Sequence, residues 1–319
     1  MLSVRAGDAY MQGMTFTSDD GSILDCAVIG GGPAGLTAAV YLGRARRLFC
    51  VFDGGESRAR WIPTSHNTPG FPQGVGGEAL LSRLREQAEH FGTVIRTNSV
   101  TGLSRSDDEV FTLETDAGAV RARTVILATG VRDREPHLPD MADAVKRGLI
   151  RICPICDGYE SSGLNIGVIG SGEHAAAEAL FLHTYSERVT VLRADERGPS
   201  DGDSKKLVDA NVPVIACPVT SVSSNDGRVT CLAAEGHGHP FDVVYAALGV
   251  EPGTALARAC GAELSKDDRL VVDEHMQTSV KGLYGAGDVV RGLNQIAVAY
   301  SEAAVAATAI HNSLPRNPV

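Results

Sequence analysis

A strand, a glycine turn and a helix occur in succession twice in this chain, and that duplication restricts its possible folds more than any other feature. The first copy opens with the apolar run Ile23, Leu24 and Cys26 to Ile29 and enters Gly30-Gly31-Gly32-Pro33-Ala34-Gly35. Leu36, Ala39, Val40 and Leu42 then recur at helical spacing, and a second run, Leu48 to Phe52, closes on Asp53. The pattern restarts with Asn165 to Ile169, the turn Gly170-Ser171-Gly172-Glu173-His174-Ala175, a helical stretch to Tyr185, and Val189 to Leu192. Gly170 thus repeats Gly30 at an offset of 140 residues.

Strand–turn–helix–strand units of this kind predict an α/β chain with two Rossmann-like nucleotide-binding domains. Gly282 to Asp288 and a helical stretch over 294–312 return to the style of the first copy, so the second domain is expected to be inserted into the first. The boundaries read as a flexible tail over 1–22, a first domain over 23–132 and 251–319, and a second over 133–250.

Gly30, Gly32 and Gly35 have the G-x-G-x-x-G spacing. The first glycine permits a tight turn, the second lets backbone approach a pyrophosphate, and the third brings the helix close to the strand. The anion then meets the N–H groups at a helix start. Asp53, 18 residues past Gly35, stands where an acid accepts hydrogen bonds from an adenosine ribose. The bland alternative is an ordinary glycine turn. In the second copy the third position is Ala175, which the pattern allows, and a duplicated fold that binds no nucleotide is the competing reading. His174 could contact a phosphate there, or be a plain polar residue of the first turn.

Between the copies lies Cys153-Pro154-Ile155-Cys156-Asp157-Gly158. Two cysteines at this spacing can close a small redox-active disulfide, and a thiolate in such a motif ionises readily, particularly at a helix N-terminus. Asp157 could move a proton to or from a departing thiolate. Half of a zinc site is the rival, but no second C-x-x-C or H-x-x-x-H accompanies it. Cys26, Cys50, Cys217, Cys231 and Cys260 sit in apolar surroundings and are expected to be inert packing. His237 and His239 read as solvated turn residues, and Trp61 either lines a site or packs under its loop.

The charge balance, 29 basic against 39 acidic residues, gives a net charge of -10; this is no footprint for nucleic acid or an anionic membrane. No run reaches the roughly 20 apolar residues of a membrane span, and Met1 to Gly21 has no apolar core of a secretory signal. Seven cysteines in such a chain predict a reducing, cytoplasmic setting.

Two dinucleotide fingerprints flanking a C-x-x-C-D-G resemble the low-molecular-weight thioredoxin reductases, FAD enzymes of the pyridine-nucleotide disulfide oxidoreductase class. The resemblance runs from Ile23 to Leu314. It extends to Ala128-Thr129-Gly130, to Gly285-Ala286-Gly287-Asp288, and to Gln295-Ile296-Ala297, which is similar to the family's flavin-contacting Arg-Gln-Ala. It implies that Gly30, Gly32, Pro33, Ala34, Gly35, Asp53 and Gly54 hold the ADP half of FAD. By the same resemblance Gly130, Gly287 and Asp288 bind further along the cofactor, Gln295, Ile296 and Ala297 lie along the isoalloxazine, and Asn67 stands near it. Cys156 would face the flavin, Cys153 would attack the substrate disulfide, and Asp157 would be the acid/base. A homodimer with a rotating nucleotide domain, acting on a thioredoxin-like protein, is implied as well.

One departure bears on the electron donor. Where NADPH-dependent members carry H-R-R-x-x-x-R, this chain has Arg193-Ala194-Asp195-Glu196-Arg197-Gly198-Pro199. A carboxylate at Asp195 repels a 2′-phosphate and suits a free 2′-hydroxyl, which argues against NADPH. NADH, a second FAD, or ferredoxin as donor all stay open. The second nucleotide site would comprise Gly170, Gly172, Glu173, His174 and Ala175. Three activities follow: reduction of a thioredoxin-like partner, oxygen-dependent oxidation of a small dithiol, or a non-catalytic flavin-binding redox sensor.

Overall fold

The computed structural model of the chain describes residues 22–134, 141–196, 198–217, 222–225, 227–232 and 236–316. Met1 to Gly21 of the expected tail, and Arg197, lie outside them. The opening apolar run is β1 (Ile23–Ile29); its last four residues are buried because parallel neighbours flank both edges. The glycine turn leads into α1 (Pro33–Arg44) and β2 (Phe49–Phe52). Then come α2 (Gly77–His90), β3 (Val94–Arg96), β4 (Val100–Arg105), β5 (Phe111–Thr115) and β6 (Gly118–Leu127). The second copy runs through β7 (Val131–Asp133), α3 (Met141–Lys146), β8 (Ile150–Arg151), α4 (Pro154–Asp157), β9 (Ile166–Gly170), α5 (Gly172–Leu182) and β10 (Val189–Arg193). It continues with α6 (Asp201–Asp209), β11 (Val214–Ala216), β12 (Val222–Asn225), β13 (Arg228–Leu232), β14 (Gly238–Phe241), β15 (Val243–Ala247) and β16 (Val250–Pro252). The chain ends with α7 (Ala255–Ala259), β17 (Leu283–Gly285) and α8 (Ile296–Ser313).

These elements fall into two units. One takes the described parts of Met1–Ala59, Ala79–Val131 and Pro252–Val319; the other takes those of Arg60–Glu78 and Arg132–Glu251. In the first, the sheet order is β3-β2-β1-β6-β5-β4, with β17 also pairing β6. Strand β6 pairs antiparallel with β5 near its start, and parallel with β1 and β17 further on. Alanines 299, 303, 306 and 307 of α8 join Ala38 and Ala39 of α1 in one buried cluster, the small side chains permitting close helix packing.

In the second unit, β11-β10-β9-β15-β8 form a parallel sheet and β12-β13-β14 an antiparallel one. The loop Arg60–Glu78, assigned to the first domain by sequence, lies in this second unit. Two other readings change here. His239 belongs to β14 opposite Cys231, not to a turn. Cys217 and Cys231 are not inert thiols: β11 and β13 deliver them fully buried, with Cα atoms 6.4 Å apart, and they form a disulfide. That spacing lies within the range a disulfide spans. Cys26 and Cys50 are buried as expected, and burial pushes their thiols up to about 12 and about 11. Cys260 is half-buried.

Candidate active site

The turn after β1 is built for close approach. Gly30 has φ +118°, and a Cβ there would strike the Ala128 carbonyl oxygen; a Cβ at Gly35 would strike the Gly30 carbonyl oxygen. Both positions therefore require glycine. Gly32 is the N-cap and Pro33 follows at the first helical position, with Ala34 and Gly35 buried behind it. No side chain closes this helix start, leaving its positive end to a ligand anion. Asp53 follows β2 and is buried; its Oδ1 accepts from Gly55 N–H at 2.9 Å, and its Oδ2 is paired with Arg85. Gly54 comes next, beside Ser99. Gly130 has φ +62° with open space where a Cβ would be, and its carbonyl accepts from Gly253 N–H.

Gly287 comes within van der Waals reach of α1, since a Cβ on it would lie 2.9 Å from that of Ala34. The end of β17 thus meets the fingerprint helix, as one binding site for an elongated ligand requires. Gly287 N–H donates to Glu302 Oε2 at 2.8 Å, from within α8. Glu302 is a buried carboxylate that the sequence did not single out. Burial pushes its carboxyl above the usual range, while the Gly287 N–H and Arg291 pull it back. Arg291 Nε stands 2.8 Å from Oε1 as an ion pair, without hydrogen-bond alignment. Asp288 Oδ2 lies 3.5 Å from Arg58, and its carbonyl accepts from Arg269. Gln295 is the N-cap of α8, followed by Ile296 and Ala297. Asn67 lies in the second unit, where its Nδ2 donates to the Ile155 carbonyl at 3.3 Å.

The second unit holds the sulfur chemistry. Cys153 caps the single turn α4, Pro154 starts it, and Cys156 N–H returns to the Cys153 carbonyl at 2.9 Å. This brings the two Cα atoms to 5.3 Å, and the sulfurs are joined. Asp157 ends the turn with its side chain directed inward. Its Oδ1 accepts from the Tyr245 hydroxyl at 2.8 Å, and Arg151 Nε stands 3.8 Å from Oδ2. Burial raises the Asp157 carboxyl above its usual value; Arg151 and the Tyr245 hydrogen bond act against that, Glu160 adds to it and His66 opposes it. A carboxyl with raised affinity for protons beside a dithiol is suited to proton transfer. Arg151, Ser161 and Tyr245 escaped the sequence reading because no motif marks them.

The second glycine turn is also in place. Gly170 ends β9, Gly172 opens α5 at φ +59°, and Ala175 is buried against the sheet. Glu173 and His174 are exposed in the first turn, and His174 reaches Glu178 at 3.2 Å, a hydrogen bond that raises the imidazole pKa. Ala194 N–H bonds the Gly170 carbonyl, which sets Asp195 at the edge of this turn. Among the described residues no group of three His, Cys, Asp or Glu could hold a metal, and no helix is long and apolar enough to cross a membrane.

A strand-flanked glycine turn in each unit, with a disulfide and a half-buried acid in the second, defines a class of protein. The family model for pyridine nucleotide-disulphide oxidoreductases matches residues 24–303, and the chain belongs to that family, as a flavoprotein disulfide oxidoreductase of the thioredoxin-reductase kind. It is 33% identical to the thioredoxin reductase of Pneumocystis jirovecii, over 82% of this chain and 86% of that one. It is 32% identical to the bifunctional thioredoxin reductase/thioredoxin of Mycobacterium leprae, over 84% of this chain but 61% of that longer protein. Among solved structures, HlmI superimposes with a TM-score of 0.83 at 30% identity, covering 93% of each chain. The family implies FAD, and the open glycine turn, uncapped helix start and adjoining Gly287–Asp288 turn of the first unit fit its ADP half and the chain beyond it.

Proposed function

We propose that the protein passes electrons between FAD, the Cys153–Cys156 pair and an external disulfide, that of a thioredoxin-like partner, and that its donor is not NADPH. The observation that carries this reading is the Cys153–Cys156 disulfide on a one-turn helix, directly followed by an inward-facing acid. In this reading Gly30, Gly32, Pro33, Ala34, Gly35, Asp53 and Gly54 hold the adenosine and pyrophosphate. Gly130, Gly287 and Asp288 hold the middle of the cofactor, and Gln295, Ile296 and Ala297 border its ring. Asn67 stands near that ring, and its bond to the Ile155 carbonyl ties its loop to the cysteine turn.

Bound FAD supplies a two-electron couple. Cleavage of the Cys153–Cys156 bond by two electrons leaves two thiolates, and the Asp157 carboxylic acid gives a proton to one of them. The Cys153 thiolate then attacks the partner disulfide, forming a mixed disulfide and releasing one partner sulfur as a thiolate that takes a proton. Cys156 attacks the mixed disulfide in turn, restoring the Cys153–Cys156 bond and releasing the partner as a dithiol. Run in reverse, the same steps oxidise a small dithiol, with oxygen taking the electrons.

Asp195, at the edge of the second glycine turn and preceded by Ala194, supports a donor without a 2′-phosphate: NADH, or a second FAD. Ferredoxin is a donor that needs no site at this turn. The test is an anaerobic absorbance titration of the FAD-loaded protein with NADPH and NADH, followed by oxidised thioredoxin. Bleaching by NADH and recovery with thioredoxin support the proposal, and rapid bleaching by NADPH overturns its donor. Oxygen uptake driven by small dithiols, with no turnover of thioredoxin, would establish the reverse activity in its place.

A further inference from the structure

Tyr245 lies in the middle of β15, a fully buried strand, and is itself fully buried. A hydroxyl at such a place must find partners, and this one has four polar atoms around it: Asp157 Oδ1 at 2.8 Å, the Asp157 carbonyl at 3.1 Å, Ser161 Oγ at 2.8 Å and Arg151 Nη1 at 3.4 Å. Ser161 is fully buried as well. Arg151 Nη1 donates to Ser161 Oγ at 2.9 Å and to the Asp157 carbonyl at 2.8 Å, while its Nε donates to the Gly148 carbonyl at 3.2 Å.

The direction of this network follows from its donor inventory. A guanidinium has no acceptor, so Arg151 must be the source. Ser161 accepts from Arg151 and has two acceptors for its one proton, the Tyr245 oxygen at 2.8 Å and the Asp157 carbonyl at 3.4 Å; the shorter contact, to Tyr245, takes it. Tyr245 then has one proton left to place, and the strongest acceptor within reach is the carboxylate oxygen Oδ1. The order is therefore Arg151 to Ser161 to Tyr245 to Asp157 Oδ1. Oδ1 is committed as an acceptor, and Oδ2 remains as the atom able to carry a proton.

We propose that Arg151, Ser161 and Tyr245 are positioning residues that hold Asp157 with Oδ1 fixed, so that Oδ2 exchanges the proton with the cysteine pair. This rests on the acid/base role of Asp157 in the proposed function. On two-electron cleavage of the disulfide, the proton leaves Oδ2 for a cysteine thiolate, and the new carboxylate is met by the Tyr245 hydroxyl and the Arg151 guanidinium already in place. Tyr245 keeps its own proton throughout. On re-formation of the disulfide the proton returns to Oδ2. The other charged groups facing Asp157 are Glu160, from the turn after α4, and His66, from the loop Arg60–Glu78.

The test is the pH dependence of iodoacetamide alkylation of Cys153 and Cys156 in the reduced, FAD-loaded protein, read by mass spectrometry between pH 5 and pH 9. The wild type should show a bend from Asp157 below the bends of the thiols, and Asp157→Asn should remove it. Tyr245→Phe keeps the ring but withdraws a hydrogen bond that favours the carboxylate, so the bend should rise by about one pH unit. Ser161→Ala should move it the same way by less, and it carries the test should Tyr245→Phe not fold. A bend that stays at its wild-type pH in folded Tyr245→Phe and Ser161→Ala overturns the positioning role, even if both lose stability. A profile that Asp157→Asn leaves unchanged overturns the acid/base role of Asp157, and the positioning role with it.

Discussion

Glu302 offers a quantitative test of the proposal that the Gly287–Asp288 turn of the first unit holds the middle of the cofactor. Its Oε2 accepts from Gly287 N–H at 2.8 Å, and both groups are buried. Strand β17 and helix α8 hold the chain on either side, so loss of that bond is felt in the Gly287–Asp288 turn. In Glu302→Ala the buried N–H has no acceptor, which costs about 1–3 kcal/mol. At about 1.4 kcal/mol per tenfold, FAD affinity should fall roughly 5- to 140-fold. Glu302→Gln keeps an oxygen able to accept from Gly287 and gives up only the pairing with Arg291, whose side chain is 62% exposed and so contributes little. It should bind FAD within about threefold of wild type. The assay is titration of the apoprotein with FAD, followed by quenching of flavin fluorescence. The reasoning fails if Glu302→Ala binds as the wild type does, or if Glu302→Gln falls as far as Glu302→Ala.

The other predictions concern the second unit. Because burial raises the Asp157 carboxyl in the folded state, folding favours its protonated form; that contribution is complete below the ordinary value of 3.8 and is lost as pH rises through the folded one. Asp157→Asn cannot ionise, so its Tm relative to wild type should climb as pH increases above 4 and level off once pH has passed the raised folded value; a pH-independent difference would refute this. Titration of thiols in the unfolded, unreduced protein should find three, Cys26, Cys50 and Cys260, whereas five would mean that Cys217 and Cys231 are not joined. Combining Ala194→Arg with Asp195→Arg supplies charge-assisted hydrogen bonds to a 2′-phosphate, so the NADPH concentration giving half-maximal flavin bleaching should fall about tenfold or more. No change would mean that the second turn takes another ligand.

The parts of the site legible in the sequence are those where backbone geometry demands one residue type at fixed spacing. Gly30, Gly35 and Gly170 could be read because a Cβ at each would strike a carbonyl oxygen, and Cys153 and Cys156 because a disulfide within one turn needs that spacing. What stayed hidden depends on residues distant in sequence. Cys217 and Cys231 occupy apolar runs that read as packing, and only the placement of β11 against β13 turns them into a pair. Asn67 could be matched to a loop, but which unit the loop joins is decided by contacts such as its bond to Ile155, 88 residues on. Tyr245 is the extreme case: Val243-Val244-Tyr245-Ala246-Ala247 reads as a buried strand, and it is one. Its hydroxyl is unremarkable until β15 is seen to pair with both β8, which carries Arg151, and β9. In the proposed function the motif supplies the reacting sulfurs and the proton carrier, and the parallel sheet supplies the orientation of that carrier. A homologue could keep Cys-x-x-Cys-Asp intact and still lose proton control by exchanging a single strand residue, a tyrosine for a phenylalanine.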